Sequence, residues 1–492
     1  MMSVLYLIAV LLPIAAGAAL LVKRKDFRRR PRELLVLCAS GLTSLLTLYL
    51  LWTRPEALTL LRLNDSLSLS FHLDGLGMVF ATILAVLWPI ADLYSAEYMR
   101  HEHGENRFFG FFTMTYGVVL GIAFAANAFT LYLCYELMTL CTLPLVMHEM
   151  DPQGRAAGKL YVTYSMTGAA FAFISLVFLA HYGSLDFVLG GSLDPALILG
   201  VETTLRAVFL LGFFGYGVKA AVFPFFAWLP AAGVAPTPVS ALLHAVAVVN
   251  SGVFAVLRLT YYSFGPDFLR GTFAQWIMMG TCAFTIVFGS AYAWRLQHLK
   301  RRLALSTVSN LSYILLGASV MSTAGLTGAL MHMTAHSVFK IILFFVAGAV
   351  LCQTHHKDEY VFQLSGLGYK MPVTFAAFAL ASLGLIGVPP FAGFFSKWMI
   401  AASAVQLHQP VAYAGAFALI LSAFLTGLYQ IEVLIRCWFP AEDEKPERNK
   451  DYTEAGWRMK LSFVVLMALA VLISLFSAPI AKVLGLVAQG IV

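Results

Sequence analysis

Long apolar stretches separated by short polar segments follow one another along the whole sequence of 492 residues. A helix that crosses a bilayer needs roughly 20 mostly apolar residues, and about fourteen stretches meet that requirement. The pattern therefore predicts an all-α, polytopic membrane protein with about 14 transmembrane helices. The approximate centres of the stretches are Pro13, Ser44, Leu84, Val118, Leu137, Phe171, Leu211, Val249, Phe284, Leu315, Ile342, Ala381, Leu421 and Ala470.

Composition supports a membrane protein and excludes several other classes. Hydrophobic residues make up 60% of the chain and charged residues only 12%, whereas soluble domains carry about a quarter charged residues. The net charge of +7 lies mostly in loops, so we expect no nucleic-acid partner. None of the six cysteines forms a CxxC pair, so we expect no iron–sulfur cluster in this chain. No catalytic motif is present, and the pair His355 and His356 lacks further ligands, so we expect no metal site.

The distribution of basic residues predicts the orientation in the membrane. If the loops are numbered in order, the odd loops hold 23 Lys and Arg residues, whereas the even loops and the tail hold 6. Cytoplasmic loops carry the excess of positive charge. We therefore expect a multi-pass protein of the inner (cytoplasmic) membrane with both termini on the non-cytoplasmic side. The apolar run from Met1 to Val22 precedes its basic cluster, an order opposite to that of a cleaved signal, and is predicted to be the first span.

Two regions rich in proline and glycine interrupt the apolar pattern, at Lys219–Pro238 and at Gly384–Lys397. Proline removes a backbone hydrogen bond from a helix, so we predict helix breaks in spans 7 and 12, at Pro224, Pro389 and Pro390. Paired broken helices are typical of an ion site between inverted repeats, although the loops alone could be simple turns. The predicted units are 1–107 (helices 1–3), 108–262 (first five-helix repeat, helices 4–8), 270–438 (second repeat, helices 9–13) and 439–492 (cytoplasmic loop and helix 14).

Few strongly polar side chains lie inside the apolar stretches. A charge at the bilayer centre costs roughly 2.5–3.5 kcal/mol on insertion scales, so such residues need partners and mark ion pathways. We predict that proton translocation depends on Glu136, Lys219, His244, Asn250, His332, His336, Lys340 and Lys397.

Three of these residues, His332, His336 and Lys340, recur at every fourth position. That spacing places them along one face of a helix, where titratable groups can pass a proton. Histidine titrates near neutral pH. Desolvation favours the neutral form of a lysine, whereas a nearby carboxylate favours the charged form. Glu136 and Lys219 would thus form a switchable pair if the fold brings them together.

Some of the polar residues have a simpler structural explanation. His244 could be a packing residue, and Lys397 could extend its amine to the membrane surface. Glu432 is an accessory candidate that could equally be a charge at a helix end.

The polar run that contains Ser309 and Asn310 is a second accessory candidate. It could line a water path or pack against neighbouring helices. Asp74, Asp92 and Glu97 lie near the ends of an apolar stretch, and we expect them at the membrane interface.

Six segments, in order from about Leu73 to Trp398, resemble the antiporter-like subunits of respiratory complex I, Mrp sodium/proton antiporters and membrane-bound hydrogenases. The broken seventh helix and the eighth helix of that family are similar to KAAVFPFFAWLPAAGVAPTPVSALLHAVAVVNSGVFAVLR. The other segments are LDGLGMVF, YELMTL, HLKRRLALSTVSNLSYI, HMTAHSVFKIILFFVAG and GVPPFAGFFSKW. The HAVAVVNSGVF stretch looks more like the Mrp and hydrogenase branch. The medium-sized complex I subunit, the D subunit of Mrp antiporters and the hydrogenase-linked subunits all remain open.

The resemblance implies roles for individual residues. Glu136 and Lys219 match the family's glutamate–lysine pair, and Lys397 matches its terminal group in the twelfth helix. His332, His336 and Lys340 match the central relay. The chain departs from the pattern at Asn250, where many relatives have lysine, and at His298, where aspartate is usual.

The function expected from residues and resemblance is that of a proton-translocating, or sodium/proton-translocating, subunit of a larger complex. The resemblance implies other membrane subunits as partners, including homologous ones, and no cofactor in this chain. If the complex is an oxidoreductase, its iron–sulfur clusters are expected in partner subunits. A free-standing secondary transporter and a structural subunit with vestigial charges are the alternatives.

Overall fold

The computed structural model describes residues 2–22, 28–64, 66–354, 359–440 and 452–491, and it is predominantly helical. The α-helices of these residues are α1 (Val4–Val22), α2 (Arg29–Thr53), α3 (Gly75–Tyr98), α4 (Glu105–Ala123), α5 (Ala128–Val146), α6 (Pro152–Tyr182), α7 (Glu202–Gly217), α8 (Trp228–Ala231), α9 (Thr237–Ala245), α10 (Val248–Arg258), α11 (Pro266–Leu269), α12 (Phe273–Arg295), α13 (Leu299–Ser319), α14 (Thr323–Gln353), α15 (Pro372–Ile386), α16 (Ala392–Val405), α17 (Pro410–Trp438), α18 (Trp457–Leu475) and α19 (Ser477–Ala488).

Short elements complete the description. Strands β1 (Leu58–Arg62) and β2 (Ser68–Phe71) pair antiparallel as a hairpin between α2 and α3, which the apolar pattern did not predict. A π-helical turn, Leu259–Phe264, continues α10. Four 3₁₀ turns lie at Met99–His101, Ala232–Val234, Val361–Leu364 and Leu367–Tyr369.

Ten helical segments of the described residues are long and apolar enough to cross a membrane, which confirms the polytopic helical architecture. Each of the predicted centres lies inside a helix. Ten of them lie in those segments, and the other four lie in α4, α7, α13 and α15, which are shorter or more polar. A broken helix presents less continuous apolar length, which explains why α7 and α15 are short.

Two segments lie at the centre of the bundle and are buried along their apolar windows, Thr237–Phe264 and Thr323–Gln353. Helix α13 is buried almost throughout as well. In contrast, α1, α2, α6 and α17 expose large apolar side chains, as expected for helices that face lipid. The polar residues of α13 and α14 are therefore separated from lipid by surrounding helices.

The chain leaves helical geometry at both predicted breaks. Helix α7 ends at Gly217 and α8 begins at Trp228, so Pro224 lies in irregular backbone. Helix α15 ends at Ile386 and is capped by Gly387, whose φ of +90° favours glycine, and α16 begins beyond Pro389 and Pro390.

A third break, which was not predicted, divides the eighth apolar stretch into α9 and α10 at Val246 and Ala247. Asn250 stabilises this break. Its side-chain amide donates to the Ala245 carbonyl at the end of α9, at 2.9 Å, and to the Ser337 hydroxyl of α14, at 2.8 Å. Non-helical backbone at membrane depth requires such partners. Asn250 therefore has a structural role at the break, and it joins α10 to α14.

Candidate functional site

Glu136 and Lys219 meet although 83 positions separate them in the sequence. Glu136 projects from the middle of α5, and Lys219 lies just after the end of α7. The Lys219 amine is 3.9 Å from the Glu136 carboxylate, with 1% of the lysine side chain and 24% of the glutamate side chain exposed. Because Lys219 follows the last turn of α7, the helix break positions its amine beside α5.

Tyr135 holds the same amine from two directions. The amine donates to the Tyr135 carbonyl at 2.5 Å and lies 3.5 Å from the centre of its ring. The Tyr135 hydroxyl in turn donates to the Tyr216 carbonyl at 2.8 Å, near the end of α7. A cation over an aromatic face is stabilised by the ring quadrupole. The sequence did not indicate that Tyr135 belongs to the site, because a single tyrosine in an apolar helix gives no sign of what its ring or carbonyl contacts.

The backbone around Lys219 packs directly against Gly252 of α10. A Cβ built on Gly252 would lie 2.5 Å from the Ala220 nitrogen and 2.8 Å from the Lys219 carbonyl carbon. Both of these atoms belong to the backbone, so a side chain at position 252 would have to displace Lys219 itself. Gly252 therefore sets the distance between α10 and the lysine.

We expect Gly252→Ala to displace Lys219 and to lower ion translocation, with a loss of stability of about 1–3 kcal/mol, typical of overpacking. Thermal unfolding in detergent and translocation in vesicles measure the two effects. Gly280→Ala is the matched control, because a Cβ at Gly280 of α12 meets nothing within 4 Å. Equal behaviour of the two variants would contradict the proposed contact.

His244, near the end of α9, is fully buried and stacks on Phe344 with ring centres 4.7 Å apart. Neither ring nitrogen has a hydrogen-bond partner among the described residues. Lys219 and His244 therefore share no direct hydrogen bond. The structure leaves a gap between the Glu136–Lys219 pair and the centre of the bundle.

His336 and Lys340 lie one turn apart on helix α14, and both are among its many buried residues. The Lys340 amine donates to the Leu303 carbonyl of α13 at 2.8 Å. Both ring nitrogens of His336 lack a hydrogen-bond partner among the described residues. Buried polar atoms of this kind are usually satisfied by a protein group or by water, so His336 has unused capacity to donate and accept.

His332 connects three helices. Its Nδ1 lies 2.9 Å from the Ser396 hydroxyl of α16, and its Nε2 lies 3.2 Å from Oδ1 of Asn310 on α13. Its ring centre is 6.3 Å from that of His336. Because Ser396 precedes Lys397, His332 links the α14 residues to the terminal lysine.

The Lys397 amine donates to the carbonyls of Leu385 and Ile386, at 2.8 and 3.0 Å, where α15 ends. It lies 5.0 Å from the centre of the Tyr313 ring, and 5% of the residue is exposed. Its amine is thus held inside the protein and does not extend to a membrane surface. No carboxylate pairs with it among the described residues.

The polar run of α13 contributes to a network of hydroxyls. Ser309 accepts from Ser290 at 3.0 Å, Ser290 bonds to Ser422, and Ser422 lies 2.6 Å from the Tyr313 hydroxyl. Asn310 contacts His332 directly. Ser309 is connected to His332 through this network, whose Tyr313 ring centre lies 5.3 Å from that of His332. Asn310 therefore belongs to the site and Ser309 to its support.

Glu432 lies apart from the lysine–histidine line, which consists of Lys219, His244, His332, His336, Lys340 and Lys397. Its carboxylate pairs with Arg302 at 2.9 Å and with Arg436 at 3.5 Å. The pair ties the beginning of α13 to the end of α17.

Asp92, which was expected at the membrane interface, is fully buried among helices. Asp74 forms a bidentate ion pair with Arg258, which is 2% exposed. Glu97 pairs with Arg100 at 3.5 Å. Arg258 comes from a distant part of the chain, so the position of Asp74 within an apolar stretch could not reveal it, whereas Arg100 lies only three residues after Glu97.

One group of potential metal ligands occurs in the part of the chain that the structure describes. It consists of Glu102, His103 and Glu149, whose ligand atoms lie within 4.8 Å of one another. It lies in the turns that follow α3 and α5, outside the lysine–histidine line. His355 and His356 lie outside the described residues.

Two family models match the chain. The model described as NADH:quinone oxidoreductase/Mrp antiporter, TM, covers residues 125–426, and the model described as NADH-Ubiquinone oxidoreductase (complex I), chain 5 N-terminus, covers 62–109. The first includes every residue of the predicted site from Glu136 to Lys397.

Curated relatives and a solved structure agree with these matches. NADH-quinone oxidoreductase subunit L of Mycobacterium tuberculosis is 32% identical over 75% of this chain and 57% of its own length. Hydrogenase-4 component B of Escherichia coli is 31% identical over 83% of this chain and 62% of its own length. The chain thus spans about three fifths of these relatives.

The fold is similar to that of a chain in the membrane-bound sulfane sulfur reductase, an archaeal respiratory membrane complex, with a TM-score of 0.85 and 18% identity over 99% of this chain and 97% of that chain. At this identity the similarity concerns the fold alone. The family model covers more than half of the sequence, and the resemblance found in the motifs is thereby confirmed. The chain belongs to the NADH:quinone oxidoreductase/Mrp antiporter transmembrane family.

Proposed function

We propose that this chain is the proton-translocating, or sodium/proton-translocating, membrane subunit of a multisubunit complex of the complex I, Mrp or membrane-bound hydrogenase type. The observation that carries the proposal is the set of lysine amines held inside the protein by backbone carbonyls. Lys219, Lys340 and Lys397 each donate to a carbonyl in the interior. Intramembrane ionisable residues are costly and mark ion pathways.

The proposed route runs from Lys219 past His244 to Lys340, and then along His336 and His332 to Lys397. Protein contacts join the last part of this route, since His332 bridges Asn310 and Ser396. Water would have to complete the first part, where His244 and His336 offer ring nitrogens without protein partners. Glu136 sets the charge state of Lys219, because an adjacent carboxylate favours the protonated amine.

A further part of the proposal is that two inverted five-helix repeats, within about fourteen spans, build the two halves of the route. Equivalent spans then carry equivalent contacts. Lys219 lies over the ring of Tyr135, and Lys397 lies near the ring of Tyr313. Helices α6 and α14, the third helices of the two units, each contain 31 residues. The proposed boundaries of the two units remain 108–262 and 270–438, as the apolar pattern predicts.

The environment of the chain is also proposed. We place it in the inner membrane with both termini on the non-cytoplasmic side, because its basic residues concentrate in one set of loops. Its partners are other membrane subunits, including homologous ones. No cofactor is assigned to this chain, and any iron–sulfur clusters belong to partner subunits.

Reconstitution of the intact complex in vesicles tests the proposal. We expect Lys219→Ala and Glu136→Gln to reduce translocation strongly while the complex still assembles. Glu56→Gln is the control for Glu136→Gln, since Glu56 is exposed in the connection between α2 and β1, away from the route. Unchanged translocation in Lys219→Ala and Glu136→Gln would refute the route and favour a structural subunit. Cation exchange by the purified chain alone would favour a free-standing transporter.

A further inference from the structure

A cluster of buried polar groups lies among α2, α3 and α4, outside the lysine–histidine line. Helix α2 turns a stripe of hydroxyls toward the interior, and each of these residues is at most 5% exposed. The stripe has helical spacing, so its members share one face. It consists of Ser40, Thr43, Ser44 and Thr47.

Asp92 of α3 is the acidic group of this cluster. It is fully buried, and neither carboxylate oxygen has a hydrogen-bond partner among the described residues. The Ser40 hydroxyl lies beside it and donates to the Leu37 carbonyl at 3.4 Å. A buried carboxylate without a partner is strongly unfavourable, so the Asp92 carboxyl group is either protonated or neutralised by a bound cation.

Other polar groups of the same three helices are also unsatisfied within the described protein. They are the Thr43 and Thr47 hydroxyls of α2, the Trp88 indole nitrogen of α3 and the Thr113 hydroxyl of α4, all fully buried. Ser44 lies 2.8 Å from the Tyr116 hydroxyl, and the Tyr116 ring stacks on Trp88 at 4.6 Å. Trp88 lies one turn before Asp92 on α3, and Thr113 lies about one turn before Tyr116 on α4, so these contacts link the surroundings of the unsatisfied groups. Such groups usually indicate a bound water or ion.

The charged groups around the site are already paired elsewhere. At the ends of the helices, Glu33 pairs with Arg458 and Arg100, and Glu97 pairs with Arg100. Other helices that pack against α3 also carry titratable side chains, namely His244 of α9, Lys482 of α19, and His332, His336 and Lys340 of α14. From α4, Tyr116 faces Asp92. Among the described residues, none of these forms an ion pair with Asp92.

We propose that the cluster around Asp92 binds one dehydrated alkali cation, such as sodium, in exchange for one proton. A single carboxylate is neutralised by one monovalent cation, whereas a divalent ion would leave a net charge in a medium that disfavours it. Carboxylate and hydroxyl oxygens are hard ligands that suit such a cation. When sodium enters, the Asp92 carboxyl releases its proton, so charge is conserved.

The polar residues have a structural alternative, since small hydroxyl residues also favour close packing of membrane helices. Packing explains Ser40 and Ser44, but it does not explain a carboxylate with two free oxygens. The site is separate from Lys219 and Lys397, so its failure and the failure of the proposed route are distinguishable.

Carbodiimide labelling of the intact complex tests the site, because this reagent modifies protonated carboxyl groups in apolar surroundings. We expect sodium chloride to slow labelling of the Asp92 peptide severalfold relative to choline chloride at the same pH and ionic strength. Potassium chloride in a third sample shows which alkali cation is preferred. Equal rates in all three salts overturn the proposal. The Glu136 peptide is quantified separately by mass spectrometry.

Variants that remove one hydroxyl sharpen the test. Thr43→Val and Thr113→Val should weaken the protection by sodium, whereas Thr115→Val should not, because the Thr115 hydroxyl donates to the Phe111 carbonyl at 2.8 Å. Undiminished protection in Thr43→Val and Thr113→Val refutes the assigned ligands. If the reagent does not reach Asp92, sodium-minus-choline infrared spectra decide. A carboxyl band that disappears in Asp92→Asn supports the site, and its absence in the unaltered protein overturns it.

Discussion

Replacement of Lys340 by methionine should nearly abolish ion translocation while the complex assembles normally. Methionine keeps the length and apolar character of the side chain and removes only the titratable amine. Lys340 is fully buried at the centre of the bundle, next to His336 and bonded to the Leu303 carbonyl. A positioned proton donor contributes roughly 10²–10⁴-fold to a proton-transfer rate, so we expect a loss of about 100-fold or more.

The rate of vesicle acidification driven by the intact complex measures this loss, normalised to the amount of assembled complex. Lys370→Met is the matched control, since Lys370 is exposed in the connection before α15. Lys340→His should retain part of the activity, because imidazole also titrates. Translocation by Lys340→Met at the level of Lys370→Met would exclude Lys340 from the route.

Loss of the Asp74 charge should destabilise the protein more than any other single change considered. Asp74 forms a bidentate pair with Arg258 and also accepts from the Gly77 amide at 2.9 Å, at the beginning of α3. Asp74→Asn keeps an oxygen for the amide but leaves a guanidinium buried without a counter-ion. Breaking a buried pair from one side costs roughly 3–5 kcal/mol, so the apparent melting temperature should fall clearly.

Thermal unfolding in detergent measures this effect, with Asp194→Asn as the control. Asp194 is exposed and also accepts a backbone amide, from Ala196 at 2.8 Å. The double variant Asp74→Asn/Arg258→Leu should recover part of the stability, because it removes the uncompensated charge. Full recovery is not expected, since Arg258 also lies 4.6 Å from the ring centres of Phe187 and Tyr262. A melting temperature equal to that of Asp194→Asn would show that the pair contributes little.

The Glu136–Lys219 ion pair, which the sequence could only suggest, distinguishes Lys219 from the other buried lysines of the proposed route. Lys219 has a carboxylate partner, whereas Lys397, held in a similar way, has none among the described residues. An adjacent carboxylate stabilises the charged amine. The two ends of the proposed route therefore differ in the groups that face the amine, a carboxylate and a carbonyl at Lys219 and two carbonyls at Lys397.

Periodicity was sufficient for the stripe on α14. His332, His336 and Lys340 recur every fourth residue, and helical geometry alone places them on one face. The apolar stretches likewise predicted the helices, because apolar length is what the bilayer selects. The breaks near Pro224 and Pro389 followed from local backbone chemistry, since proline removes a hydrogen bond.

Local pattern failed where distant segments decide the outcome. The break between α9 and α10 contains neither proline nor glycine, and it is stabilised by Asn250 through Ser337, 87 positions away. The roles of Tyr135 and Ser396 were not predictable from the sequence, because they depend on contacts with Lys219 and His332 from other helices.

Asp92 shows the same limit most clearly, because its position in the sequence indicated an interface and its neighbours bury it. The sequence alone determined the helices, the family motifs and the set of titratable residues, since these depend on local composition and spacing. The tertiary structure decided which of those residues meet, because contacts within a few ångströms depend on how whole helices pack.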